Sequence, residues 1–134
     1  MSINRMLATS SVLAAFTAVV HTIGGTIEIH APLLESPLPE SIRLLLYACW
    51  HLVTVALILS ALALAWAARG DRARTESALP IFGGTLWSSF GAVCIAVALG
   101  FGEPSTLLVL PQWTLLIPVG VSALLGVRAA RSDG

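Results

Sequence analysis

Lysine is absent from this chain, and charge of either sign is scarce: seven arginines and seven acids make up 10% of 134 residues and cancel to zero. Holding a nucleic acid takes a cationic field, and like-charged blocks mark interaction tails. Neither is present, so no nucleic-acid partner is expected. Cysteine occurs twice, at Cys49 and Cys94, both inside apolar stretches and with no CxxC pair. That removes a disulfide framework and a thiol redox motif, leaving two small side chains for packing. HExxH motifs and histidine-rich boxes are missing as well, which leans the reading away from an enzyme.

What fills the chain is hydrocarbon. Hydrophobic residues are 57% of the sequence, and the mean hydropathy of +0.90 lies beyond that of an ordinary soluble domain of this length. Four crossings of about 20 residues each use most of the chain. The expected fold is therefore all-α: an integral membrane bundle of four transmembrane helices in a single domain, residues 1–134. The spans are expected at about residues 6–29, 41–68, 79–101 and 106–127. Arg5 before an apolar run resembles a signal peptide, but the apolar character continues to Ile29, past a typical h-region.

The punctuation between spans is proline, glycine and charge. Ala31-Pro32 should end the first helix, and APLLESPLPE, with three prolines, reads as a surface connection before Ser41 caps the second. RGDRARTE, Arg69 to Glu76, closes the second span, with Gly70 as a helix stop. Gly84, Ser88, Ala92 and Ala96 recur every four residues in the third, a spacing that lets helix backbones approach. Pro118 should kink the fourth. Arg5, Arg69, Arg72, Arg74, Arg128 and Arg131 flank one set of helix ends and Arg43 alone the other, so the positive-inside rule puts both termini in the cytoplasm. Arginine as sole cation and abundant alanine fit a bacterial inner membrane protein.

The informative stretch is TAVVHTIGGTIE, Thr17 to Glu28, which places an imidazole and a carboxylate in an apolar run. A charge near the middle of a membrane helix costs at least about 2.5–3.5 kcal/mol, so such groups face protein or a wet cavity and point to function. Ser10, Ala14, Thr17, His21, Gly24, Gly25 and Glu28 fall near one helical stripe, and Leu13, Phe16, Val20, Ile23 and Ile27 on the opposite face. His21 lies about ten residues before Ala31 and His51 about ten after Ser41, roughly 15 Å below one surface. The two imidazoles are thus expected to meet at one depth, with Glu28 two turns nearer the mouth.

Tyr47 and Thr54 flank His51 on its helix face, and Gln112 can complete the cluster from the fourth span. The expected ligand- or proton-binding set is His21, Glu28, His51, Thr54, Tyr47 and Gln112, with Arg43 and His30 nearer the surface and Arg43 a partner for Glu28. Such a set suits binding or passing a proton, a cation or a small solute, as in a transporter or channel. Two alternatives share these residues. Axial ligation of a haem by two histidines, or a divalent metal on His21, His51 and Glu28, makes a cofactor protein. Packing alone makes an accessory subunit of a membrane complex, where an imidazole bonded across helices is explanation enough. Besides lipid, the small-residue faces predict a homo-oligomer or a membrane-complex partner.

Overall fold

The computed structural model of the chain describes residues 3–69 and 75–132. Its elements are α1 (Arg5–Gly25), a π-helical turn (Thr26–His30), α2 (Ala31–Glu35), α3 (Glu40–Ala67), α4 (Ala78–Phe101), α5 (Thr106–Val109) and α6 (Trp113–Ser132). No strand occurs among the described residues. Four helical stretches are long and apolar enough to cross a membrane: Arg5–Glu35, Glu40–Ala67, Ala78–Gly100 and Trp113–Ser132.

Packing alternates around the bundle. α1 lies between α3 and α6, α4 packs extensively on α6, and α3 touches α4 more sparingly. The core is built of small and branched side chains: Leu7, Ala14 and Ala18 of α1, Leu57, Ala61 and Leu64 of α3, Trp87 of α4, and Val119, Ala123 and Val127 of α6. Between 17% and 33% of the most apolar window of each span is buried inside the chain. Phe16, Ile23, Leu52, Leu59 and Phe82 are among the large apolar side chains left more than half exposed. Water does not sustain apolar surface on that scale, so its natural covering is lipid or another apolar chain.

The α4–α6 contact rests on glycine. A Cβ on Gly120 would meet the Ser88 hydroxyl and sit 2.6 Å from the Gly84 carbonyl oxygen, and one on Gly84 would lie 2.8 Å from Leu124 Cγ. The buried line on α4 runs Gly84, Trp87, Gly91 and Ala98, with Cys94 half-buried. That is alternating three- and four-residue spacing, the phase of a left-handed seam. The expected strict four-residue stripe therefore holds only at its start. Four residues overshoot a helical turn, and Ala92 and Ala96 drift out to the exposed side.

Hydroxyls and one amide fasten α1 to both neighbours. Ser10 donates to the Val119 carbonyl (2.8 Å) and Ser11 to the Ala61 carbonyl (3.0 Å). Asn4 caps α1 through Leu7 N–H (3.1 Å), donates its side-chain amide to the Gly126 carbonyl (2.8 Å), and bonds from its backbone N–H to Ala68 (2.9 Å). The start of α1 and the ends of α3 and α6 thus share one end of the bundle, which carries Arg5, Arg69, Arg128 and Arg131. Arg131 reaches Ser77 at the head of α4 (2.6 Å). Arg72, Arg74 and Gly70 lie outside the described residues.

Three expected boundaries are corrected, each at a proline. The first span does not stop before Pro32. Ala31 N–H reaches back five residues to the Thr26 carbonyl, and this wider turn carries the helix through to Glu35. Ser41 does not cap α3, which begins at Glu40 with Pro39 in the capping position and no side-chain cap. The fourth span is broken at residues 110–112, because Pro111 pushes Leu110 out of helical geometry (φ −118°, ψ 67°). Pro118 sits inside α6, on its exposed side.

Gly120→Ala is expected to destabilise the fold by about 1–3 kcal/mol, the range for overpacking a tight contact. Gly100→Ala, where nothing lies within 4 Å, should be neutral or slightly stabilising. Thermal unfolding of the two variants in one detergent checks the difference.

Candidate functional site

The end of the bundle opposite Arg5, Arg69, Arg128 and Arg131 holds the three histidines, and helical phase decides which of them turn inward. The inner face of α1 is fixed by Leu7, Ser10, Ala14 and Thr17, all buried, and His21 continues it, half-buried. A regular helix advances about 100° per residue, so nine residues would put His30 about 180° from His21. The π-helical turn absorbs one extra residue and brings that angle to about 80°. His30 thereby swings toward α3, and Glu28, on the turn itself, is carried out to the exposed side.

A stack of rings results between α1 and α3. His21 stacks on Trp50 (centroids 4.7 Å apart, planes 21° apart), Trp50 on His30 (5.2 Å, 15°), and His30 on Tyr47 (4.7 Å, 27°). His51 meets this stack edge-on, 4.5 Å from Tyr47, 5.1 Å from Trp50 and 6.1 Å from His30. Gly25 makes room for the indole: a Cβ there would lie 3.4 Å from Trp50 Nε1. On α3 the residues turned to α1 are Tyr47, Trp50, Thr54, Leu57, Ala61 and Leu64, again at three- and four-residue spacing.

The Trp50 carbonyl is a node. The Thr54 hydroxyl donates to it from one turn on (3.1 Å), and His21 Nε2 approaches it across the helix gap (3.4 Å). A carbonyl only accepts, so this contact requires the proton on Nε2 of His21. The polar atoms deeper in the stack have no such partner. Nδ1 and Nε2 of His30 and Nε1 of Trp50 are buried and unbonded. Each buried donor or acceptor left unpaired costs about 1–3 kcal/mol.

Against expectation, His21 and His51 do not meet. Trp50 occupies the inward position one residue before His51, and no ring contact or hydrogen bond joins the two imidazoles among the described residues. His51 is exposed on the flank of α3. Glu28 is exposed too, and no ion pair joins it to half-buried Arg43 among the described residues. Tyr47 and Thr54 belong to the cluster, Tyr47 by its ring and Thr54 by its hydroxyl. Gln112 is not joined to it by a hydrogen bond among the described residues: it lies in the turn before α6, its side-chain oxygen buried without a partner. No three His, Cys, Asp or Glu side chains converge on one possible metal position among the described residues.

Two members of the cluster escaped the sequence reading, His30 and Trp50. The signal for His30 lies on either side of it: Gly24-Gly25 and Pro32 bracket residues 26–30, and both disturb an α-helix. Trp50 reads as an ordinary interface aromatic until its neighbour Gly25 is known. Comparison with models of known protein families, with curated proteins and with solved structures gives no significant match.

Gly25→Leu should push the indole aside and abolish the upfield ring-current shifts of the His21 and His30 ring protons. Gly24→Leu, one residue away with nothing within 4 Å, should leave those shifts in place. Histidine-selective NMR of the two variants checks this, with three imidazoles to assign.

Proposed function

We propose that the chain is a membrane protein that binds and passes a proton through a cluster of three imidazoles, His21, His30 and His51, in the half of its bundle away from the arginines. The observation that carries this reading is the state of His30, whose two ring nitrogens are buried without a partner beside a second imidazole. Imidazole changes charge near neutral pH and can both accept and release a proton at ring nitrogens. Groups of that kind within a membrane span serve as relays or binding sites rather than as packing.

The donor set favours a proton over a dication. The cluster offers imidazole rings, a phenol and an indole, with the Glu28 carboxylate turned away. A divalent metal or haem iron needs several ligand atoms converging on one point, and stacked rings aim their edges apart. A small cation or polar solute at the same cluster remains within the proposal, since a cation could take a ring-nitrogen lone pair of His30 and a polar solute could also accept from the Trp50 N–H.

The arginine ends would face the cytoplasm of a bacterium and the histidine cluster the outer side. Four spans enclose little volume, so a pathway formed with further copies of the chain, in lipid, belongs to the same proposal. Exposure of His51 on the flank of α3 supports it, because an imidazole against acyl chains gains from a protein neighbour.

In proteoliposomes bearing a pH gradient, the wild-type chain should dissipate the gradient faster than protein-free vesicles. His30→Gln, which keeps a polar side chain but removes the protonatable ring, should slow this by about tenfold or more. His51→Ala should slow it as well. Equal rates in wild type, His30→Gln, His51→Ala and empty vesicles would remove proton passage and leave helix packing as the role of the cluster.

A further inference from the structure

Residues 26–30 hold two side chains that are both poorly served where they stand. Glu28 is exposed on a span flanked by Ile27 and Ile29, and His30 is turned inward with neither nitrogen bonded. One change of helical register exchanges them. In a continuous α-helix Glu28, seven residues after His21, lies within about 20° of it, while His30 points about 180° away. With the π-helical turn in place, His30 is in and Glu28 is out.

Local sequence makes the second register reachable. Gly24 and Gly25 precede the turn and weaken helical order by their backbone freedom. Pro32 is compatible with both arrangements. It can follow a widened turn, as here, or it can begin a new segment after a helix that ends at the residue before it. π-helical turns inside α-helices are uncommon and gather at sites of function.

We infer that this turn is a proton-driven register switch, a reading that rests on the proton-binding role proposed above. With the imidazoles neutral, the π register holds His30 in the ring stack. With protons taken up, the α register turns His30 out with its charge and brings the Glu28 carboxylate to His21. No covalent bond changes; a proton leaves the cluster on His30 and a carboxylate enters.

Charge decides the direction. His30 faces Tyr47 and His51 from α3, and His21 beyond Trp50 on its own helix. Arg43, half-buried, and Glu40 stand toward the mouth of α3, Cys94 is the sole titratable side chain of α4, and α6 carries its arginines at the opposite end. A second or third cation among these groups is repelled, and a carboxylate among them is attracted. Neutral rings, in contrast, gain from stacking and lose nothing to Glu28 outside.

Histidine-selective NMR in nanodiscs between pH 8 and pH 5 tests this on the wild-type chain. The His30 ring protons should carry upfield shifts from Tyr47 and Trp50 at high pH, lose them as His30 protonates, and gain exchange with water. Pro32→Ala, which lets an α register continue unbroken past residue 32, should lose those shifts at a higher pH than wild type. Deleting Ile27 in the Pro32→Ala background restores the inward phase of His30 and should keep the shifts throughout. Retention of the stacked shifts by protonated wild-type His30 would overturn the switch, whichever variants fold. Gradient dissipation that needs His30 while its shifts never change would also overturn the switch, yet leave proton passage standing.

Discussion

Helical phase is the quantity on which the rest of this molecule turns. α1 is pinned on its inner side by Leu7, Ser10, Ala14 and Thr17, and through Ser10 and Ser11 by hydrogen bonds to both neighbours. From there each further side chain is aimed by about 100° per residue, and nothing downstream can alter the aim except a change in turn width. The Thr26–His30 turn is such a change. One residue of slack converts a stripe of His21 and Glu28 into a stack of His21, Trp50, His30 and Tyr47.

The two ends of the bundle are held by different physics. At the arginine end Asn4 ties α1, α3 and α6 by three hydrogen bonds, and glycines let α4 and α6 close to backbone contact. Contacts of that kind depend on sub-ångström fit and tolerate little displacement. At the other end, α1 and α3 meet through stacked rings and through one long contact from His21 to a backbone carbonyl.

Sequence reading reached as far as periodicity reaches. Four apolar segments, the inward stripe from Ser10 to His21 and the exposed face of Phe16, Val20, Ile23 and Ile27 are legible, because each depends on regular geometry, whereas Leu13, expected on that face, packs half-buried against the core. Errors cluster where regularity fails. An α-helical count carried across the π-helical turn puts Glu28 on the inward stripe and leaves His30 out of the expected set, nearer the surface. Gln112 was joined to the cluster by a helix that Pro111 interrupts. His51 was taken as the inward residue of α3, whereas the three- and four-residue spacing of Trp50, Thr54, Leu57 and Ala61 leaves it on the flank. Proline and paired glycine were visible, but their remedy, a widened turn rather than a stop, is settled by tertiary contact with the Trp50 indole.

Ring stacking lets polar groups persist unbonded in so apolar a chain. A buried imidazole without partners is costly, and a helix could shed that cost by reverting to α geometry and turning His30 outward. What opposes reversion is the stack itself. Trp50 seats on Gly25, His30 closes over Trp50, and Tyr47 covers His30, so each ring's placement depends on the next. Stacking of aromatic pairs contributes about 0.5–1.5 kcal/mol each beyond burial, and two such contacts on His30 are of the same order as the unpaired nitrogens they offset.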